Sequence, residues 1–317
     1  MNSCQRVEVA LNHQQPDRVP LDLGAMTGMH VSSVYKLRQA LKLDLPGTPV
    51  KVTEVYPMLG EIAADLQEAL GVDVVGLGSP NSFFGFQYKD WKPWTTFDGT
   101  PVLVPGGFNT DPEPNGDILM YPEGDRSVPP SGRMPKGGFY LDAIVRQEPI
   151  DDAKLNIEDN LQEFSPISDE MLQYFASEAD RLRKESDRAI LANFGGTSFG
   201  DIALVPAPWL KNPKGIRDIA EWYISTVTRF AVDDPGKLWD RDHSIAVWRL
   251  CRAGRREPTL GPLLLMQLKN SERPWTATRW TSVRVGVRGL SSGISSTDTH
   301  WRPIRSSHHW CVWYFPT

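Results

Sequence analysis

Between Met58 and Leu77 the chain sets an amphipathic stripe, a glycine and an apolar run in direct succession, and few folds accommodate that order. Met58, Leu59, Ile62, Ala63, Leu66, Ala69 and Leu70 recur at helical spacing. Gly71 stands where a helix end favours a left-handed residue, and Val72-Asp73-Val74-Val75-Gly76-Leu77 follows as an apolar run of strand length. A helix feeding a strand that is buried on both faces is the repeating unit of a parallel α/β sheet. The unit returns after Ser168, a plausible helix cap: Leu172, Phe175, Ala179 and Leu182 share one face, and Ala189 to Phe194 is then a buried strand. Near the start, Cys4 to Leu11 reads as a short helix and Arg18 to Leu23 as a strand whose Pro20 marks a strand start or an edge. Ser32 or Ser33 caps a further helix carrying Val34, Leu37, Ala40 and Leu41, and another helix carries Ile216, Ile219, Ala220, Tyr223 and Val227.

This rhythm is interrupted from Ser79 to Gln147. Trp94 to Val104 spells a hairpin around Asp98-Gly99, the pair that suits a type I′ turn. Ile118 to Tyr121 and Gly138 to Val145 read as two further strands, which makes residues 79–147 a β-rich insertion in the α/β framework. The aromatics leading into it, Phe83, Phe84, Phe86, Tyr88, Trp91 and Trp94, suit packing beneath a long insertion better than stacking on a flat ligand. Tyr121 to Asp142 gathers four prolines and four glycines, so the spacing predicts a loop that is neither helix nor central strand. Among them stand Asp125, Arg126, Arg133 and Lys136. A guanidinium grips a carboxylate through parallel hydrogen bonds, so Arg126, Arg133 and Lys136 are candidate ligands for an anionic small molecule; the alternative is a solvated connector. Asp22 and His30 flank the loop after the first strand, at the carboxyl end where α/β folds place chemistry, although a lone histidine beside a helix start is more often a cap. The turn Gly195 to Asp201 offers backbone N–H groups to an anion but has no lysine and is no P-loop.

Composition narrows the function classes. A net charge of −5 argues against nucleic acid as a partner, and no apolar run reaches membrane-spanning length. The N-terminus has no signal-peptide apolar stretch, and three scattered cysteines form neither a disulfide framework nor a metal clip. These features predict a cytoplasmic protein without an assigned metal or cofactor. Beyond Pro235 the text changes character. Residues 236–317 carry scattered Arg, Ser, Thr and Trp with no sustained helical stripe, which fits a shifted reading frame better than a basic tail for an acidic partner, and the coding DNA downstream of Asp234 read in three frames tests that origin.

Four stretches carry a resemblance: RVEVALNHQQPDRVPLDLG, ALGVDVVGL, GDILMYPEGDRSVPPSGRMPKGGFYLDAIVRQEPID and DIALVPAPWLKNPKGIRDIAEWYIS. Residues 5–235 resemble the uroporphyrinogen decarboxylase family in its broad sense, which includes corrinoid-linked methyltransferases. The resemblance implies a (β/α)8 TIM-type barrel, here incomplete, with its site at the carboxyl ends of the strands. It implies a cofactor-free carboxy-lyase for a tetrapyrrole-type substrate; the residues of this chain read for that task are Asp22, His30 and Asp125 as catalytic candidates and Arg126, Arg133 and Lys136 as substrate ligands. A corrinoid or thiol methyltransferase is the alternative, with a homodimer or a corrinoid protein as partner; an inactive truncated product is the third expectation. The sequence also departs from the family. Gly24 to His30 has no arginine where decarboxylases have two, Ser79-Pro80-Asn81 replaces an aspartate, and Thr197-Ser198-Phe199 lacks the usual tyrosine.

Overall fold

The structure, a computed structural model, describes residues 1–24, 27–156, 159, 162, 168–192, 205–228 and 314–315. In chain order these form α1 (Ser3–Leu11), α2 (Val31–Ala40), β1 (Val50–Glu54), β2 (Leu59–Gly60), α3 (Ala64–Leu70), β3 (Val74–Leu77), β4 (Lys92–Thr95), β5 (Pro101–Val104), β6 (Ile118–Met120) and a 3-10 turn, Pro122–Gly124. There follow β7 (Gly132–Met134), β8 (Asp142–Ala143), α4 (Asp169–Glu185), β9 (Ala189–Ala192), α5 (Ile219–Thr228) and β10 (Tyr314–Phe315).

The α/β wall is built as the helix–glycine–strand rhythm predicts. Gly71 takes the left-handed C-cap of α3 at φ 66°, and β3 follows, parallel to β9 from Val74↔Ala189 to Leu77↔Ala192. Alternation sends Val75, Leu77, Ile190 and Ala192 to one face, where Leu172, Phe175, Ala179 and Leu182 of α4 cover them. Val74, Ala189 and Leu191 point the other way, onto Cys4 and Val7 of α1. Both faces are thus dry, which is why these strands read as unbroken apolar runs. The strand expected from Arg18 to Leu23 is reduced to one parallel bridge, Asp22↔Val74, reinforced by Asp73 N–H donating to the Leu21 carbonyl. On its other edge β9 pairs antiparallel with β10. Among the described residues these strands do not close a barrel. Phe194, the turn from Gly195 to Asp201 and all of 236–317 except β10 lie outside them.

The β-rich body differs from expectation in three places. First, it begins before residue 79. Val50 to Glu54 forms β1, which pairs in parallel with β5 and antiparallel with β2, giving the order β2-β1-β5-β4. Second, Met58 and Leu59 do not belong to a helix: Met58 sits at φ 51° in a turn, Leu59 enters β2, and α3 starts only at Ala64. Third, the loop from Tyr121 to Asp142 contains β7, the central strand of the sheet β6-β7-β8. Gly132 is what allows it, because a Cβ there would lie 2.3 Å from the Phe84 ring. Met134 and Leu141 are buried in the same large core as Phe84, Phe108, Ile118 and Met120. The hairpin β4–β5 forms as expected, but only Gly99 is left-handed, at φ 84°. Its loop is closed by Gly99 N–H to Thr96 O and Thr96 N–H to Thr100 O, a wider connection than a two-residue turn.

Candidate functional site

Asp22 is bridged to Val74, the first residue of β3, so it stands level with the amino start of β3 and β9 and not at the carboxyl end expected of it. Gly24 N–H donates to its Oδ1 at 2.7 Å, and the residue is partly exposed.

His30 is the N-cap of α2, a role expected of Ser32 or Ser33. Its Nδ1 accepts from Ser32 N–H at 3.2 Å, so Nε2 carries the proton and donates to the Phe139 carbonyl at 3.0 Å. Phe139 and Tyr140 meet the ring edge-on, with centroids 5.6 and 5.4 Å away. Both nitrogens are therefore engaged in tying the end of the Pro/Gly segment to the start of α2.

The charges of that segment lie on two short anchors. Asp111 and Asp117 sit close to either end of a narrow hairpin joined by the bridge Pro112↔Ile118 and by Glu113 N–H to Asp117 O. Arg126 Nη1 donates to Asp111 Oδ2 at 2.7 Å, with its guanidinium 5.8 Å from the Tyr121 ring centre. Arg133 Nε donates to Asp117 Oδ2 at 2.6 Å, and the backbone N–H of Lys136 donates to Asp117 Oδ1 at 2.9 Å. That N–H, with the Arg133 guanidinium and Asn115, holds the Asp117 carboxyl below the usual range. Each arginine commits one N–H to its aspartate and remains about half exposed. Each fork carries further N–H groups, and Tyr121 lies beside those of Arg126. Arg133 and Lys136 thus converge on Asp117, while Arg126 is held apart on Asp111.

Asp125 belongs to a third grouping. Its Oδ1 accepts from Ser127 N–H and Oγ, and its Oδ2 lies 2.9 Å from Lys211 Nζ. Ser127 first, and Lys211 second, hold this carboxyl well below the ordinary range, so Asp125 is an anion at neutral pH. Lys211 also reaches Glu123 Oε2 at 2.9 Å. Lys211 escapes sequence reading; the one mark it carries is its place in the Pro- and Trp-bearing stretch Pro206 to Pro213, which packs Trp209 on Phe83. Among the described residues no bond joins Asp22 to the charges of the Pro/Gly segment, and no three His, Cys, Asp or Glu side chains are grouped to hold a metal. No helix among them is long and apolar enough to cross a membrane.

A further acid escaped sequence reading. Burial pushes the Glu54 carboxyl at the end of β1 up, against the Tyr56 N–H that donates to it at 3.3 Å. Tyr88 is driven well above its usual value by burial and by the Glu54 charge. Comparison with protein-family models, with curated proteins and with solved structures finds no match to this chain, so its functional reading rests on the arrangement of its own residues.

Proposed function

We propose that residues 5–235 form the amino-terminal wall of a (β/α)8 barrel of the uroporphyrinogen decarboxylase type, acting as a carboxy-lyase on a small substrate with several carboxylates. The observation that carries this reading is the parallel wall of β3 and β9, buried on both faces, in a chain whose Pro/Gly segment holds Arg126 and Arg133 about half exposed. In the reaction a proton adds to an electron-rich ring carbon and creates a cationic sink. The C–C bond to the carboxylate then breaks, CO₂ leaves, and the electron pair passes into the ring to leave an exocyclic methylene, which takes up a proton as the ring carbon gives its own back. The protein must fix the carboxylates and stabilise the transient cation. Asp22 serves the second task, and Asp125, as a permanent anion, adds negative charge rather than a proton. The exposed guanidinium faces of Arg126 and Arg133, together with the Lys136 ammonium, serve the first. His30, with both nitrogens occupied, positions the loop.

The test is turnover of chemically reduced uroporphyrinogen, followed by the number of carboxylates left on the product. Replacing Arg126 and Arg133 together by Ala is expected to raise KM about tenfold or more, and Asp22→Asn to lower kcat while KM holds. Unchanged kinetics in the arginine double variant return the segment to a structural role, and absence of CO₂ release from the unsubstituted chain removes the lyase reading.

A further inference from the structure

Residues 205–216 cross the β-rich body; Val205 and Ile216 are buried at the two ends, Gln147 Nε2 donates to Gly215 O, and between the ends three contacts of different kind hold the segment. Trp209 packs its ring on Phe83, centroids 5.6 Å apart, and its Cβ lies so close over Gly85 that a Cβ there would come within 3.2 Å. Arg146 grips backbone: Nη2 donates to Ala207 O and Nη1 to Leu210 O, both at 2.7 Å. Lys211 Nζ sits 2.9 Å from both Glu123 Oε2 and Asp125 Oδ2. The first two fastenings are apolar contact and bonds from a half-buried guanidinium to neutral carbonyls, and salt weakens neither much. The third is exposed, with the Lys211 side chain 37% and that of Glu123 56% accessible, and screening acts on it directly.

Glu123 and Gly85 have a second position in common. Both line an open cleft of about 320 Å³ together with Phe86, Gln87, Lys89 and Asp90. The seat of residues 205–216 is therefore also one wall of that cleft. We propose that residues 205–216 are a strap latched by Lys211 on Glu123 and Asp125. Screening of the latch lets the strap lift on its Arg146 anchorage and changes the cleft wall at Gly85 and Glu123. Ionic strength is then the variable that sets the cleft, whichever reaction the chain performs.

Hydrogen–deuterium exchange on the full chain tests this at about 0.05 M and about 1 M NaCl, where the screening length falls from over 10 Å to about 3 Å. The Leu210 amide, which donates to Ala207 O, reports on the strap; the amides of β3 and β9 report on global opening. Strap exchange is expected to rise about threefold to tenfold at high salt with the β3 and β9 amides unchanged. Lys211→Met should show the fast rate at both salt concentrations. If Lys211→Met also loosens β3, Glu123→Gln is read instead and must give faster, less salt-dependent strap exchange. A strap rate indifferent to salt in the unsubstituted chain, or unaltered in the variants, overturns the proposal.

Discussion

Glu54 carries a pH dependence opposite in sign to that of Asp17. Asp17, beside the Arg6 guanidinium, is held down at about 2, and such a group stabilises the fold above its unfolded pKa and loses that contribution as pH falls through its folded one. Burial instead raises Glu54, so the folded chain binds its proton more tightly than the unfolded chain does. Its contribution is complete below an unfolded value of about 4.3 and is lost as pH rises through the folded value. Glu54→Gln is therefore expected to raise the urea midpoint at pH 8 and to change it little at pH 4. An equal gain at both pH values would contradict the upward shift of Glu54. His30 permits a second residue-scale test. Asn also caps helices well, so His30→Asn should stay within about 0.5 kcal/mol of the parent, whereas His30→Ala should cost about 1 kcal/mol in chemical denaturation. Equal losses in the two variants would show that the ring contacts with Phe139 and Tyr140 outweigh the cap.

Among the elements, β7 depends most on a single atom being absent. Gly132 brings its backbone against Phe84, and Gly132→Ala would place a methyl 2.5 Å or less from two ring carbons and 3.1 Å from Met120 Cβ. Overpacking of this kind costs about 1–3 kcal/mol, measurable as a lower urea midpoint at an unchanged slope. The same glycine explains why β7 was illegible in the sequence: strand signals rest on branched and aromatic residues, and here tertiary packing selects a residue that local propensity rejects. The helix read from Met58 failed for a related reason. A turn at φ 51° and a two-residue strand placed Met58 and Leu59 by accident on the stripe that α3 continues. By contrast α4 was legible throughout, since Ser168, its acidic first turn and its basic last turn agree with the apolar face that packs on β9. At the site, residue types pointed correctly to charge on the Pro/Gly segment, but partners such as Asp111, Asp117 and Lys211 are matters of tertiary contact, which spacing along a chain does not encode.

For the whole molecule the decisive polar contact is Asp73, a fully buried carboxylate shared by three parts of the chain. Arg6 and Ser3 of α1 donate to it at 2.6 and 2.9 Å, Arg18 at 2.6 Å, and the Leu21 N–H at 2.9 Å. Despite burial, which alone would raise it, the Leu21 N–H, Arg18, Ser3 and Arg6 keep this carboxyl below its usual range. Asp73→Asn would leave the buried Arg6 with Asp17 as its remaining carboxylate and Arg18 facing a neutral amide, at a cost of about 1–3 kcal/mol, detectable as a fall in Tm. A loss below about 1 kcal/mol would mean that α1 is seated by Cys4 and Val7 alone. The parallel pairing of β3 with β9 has a consequence in time. Arg188 Nε closes onto the Val72 carbonyl across 116 positions of chain, and the β-rich body lies in between. The cost of closing a loop grows with its free length, so these strands meet slowly while that stretch is unfolded and faster once its sheets have drawn the two ends together. Assembly is thus ordered from the middle of the chain outward: the body built around Phe84 comes first, and the wall that bears Asp22 closes around it last.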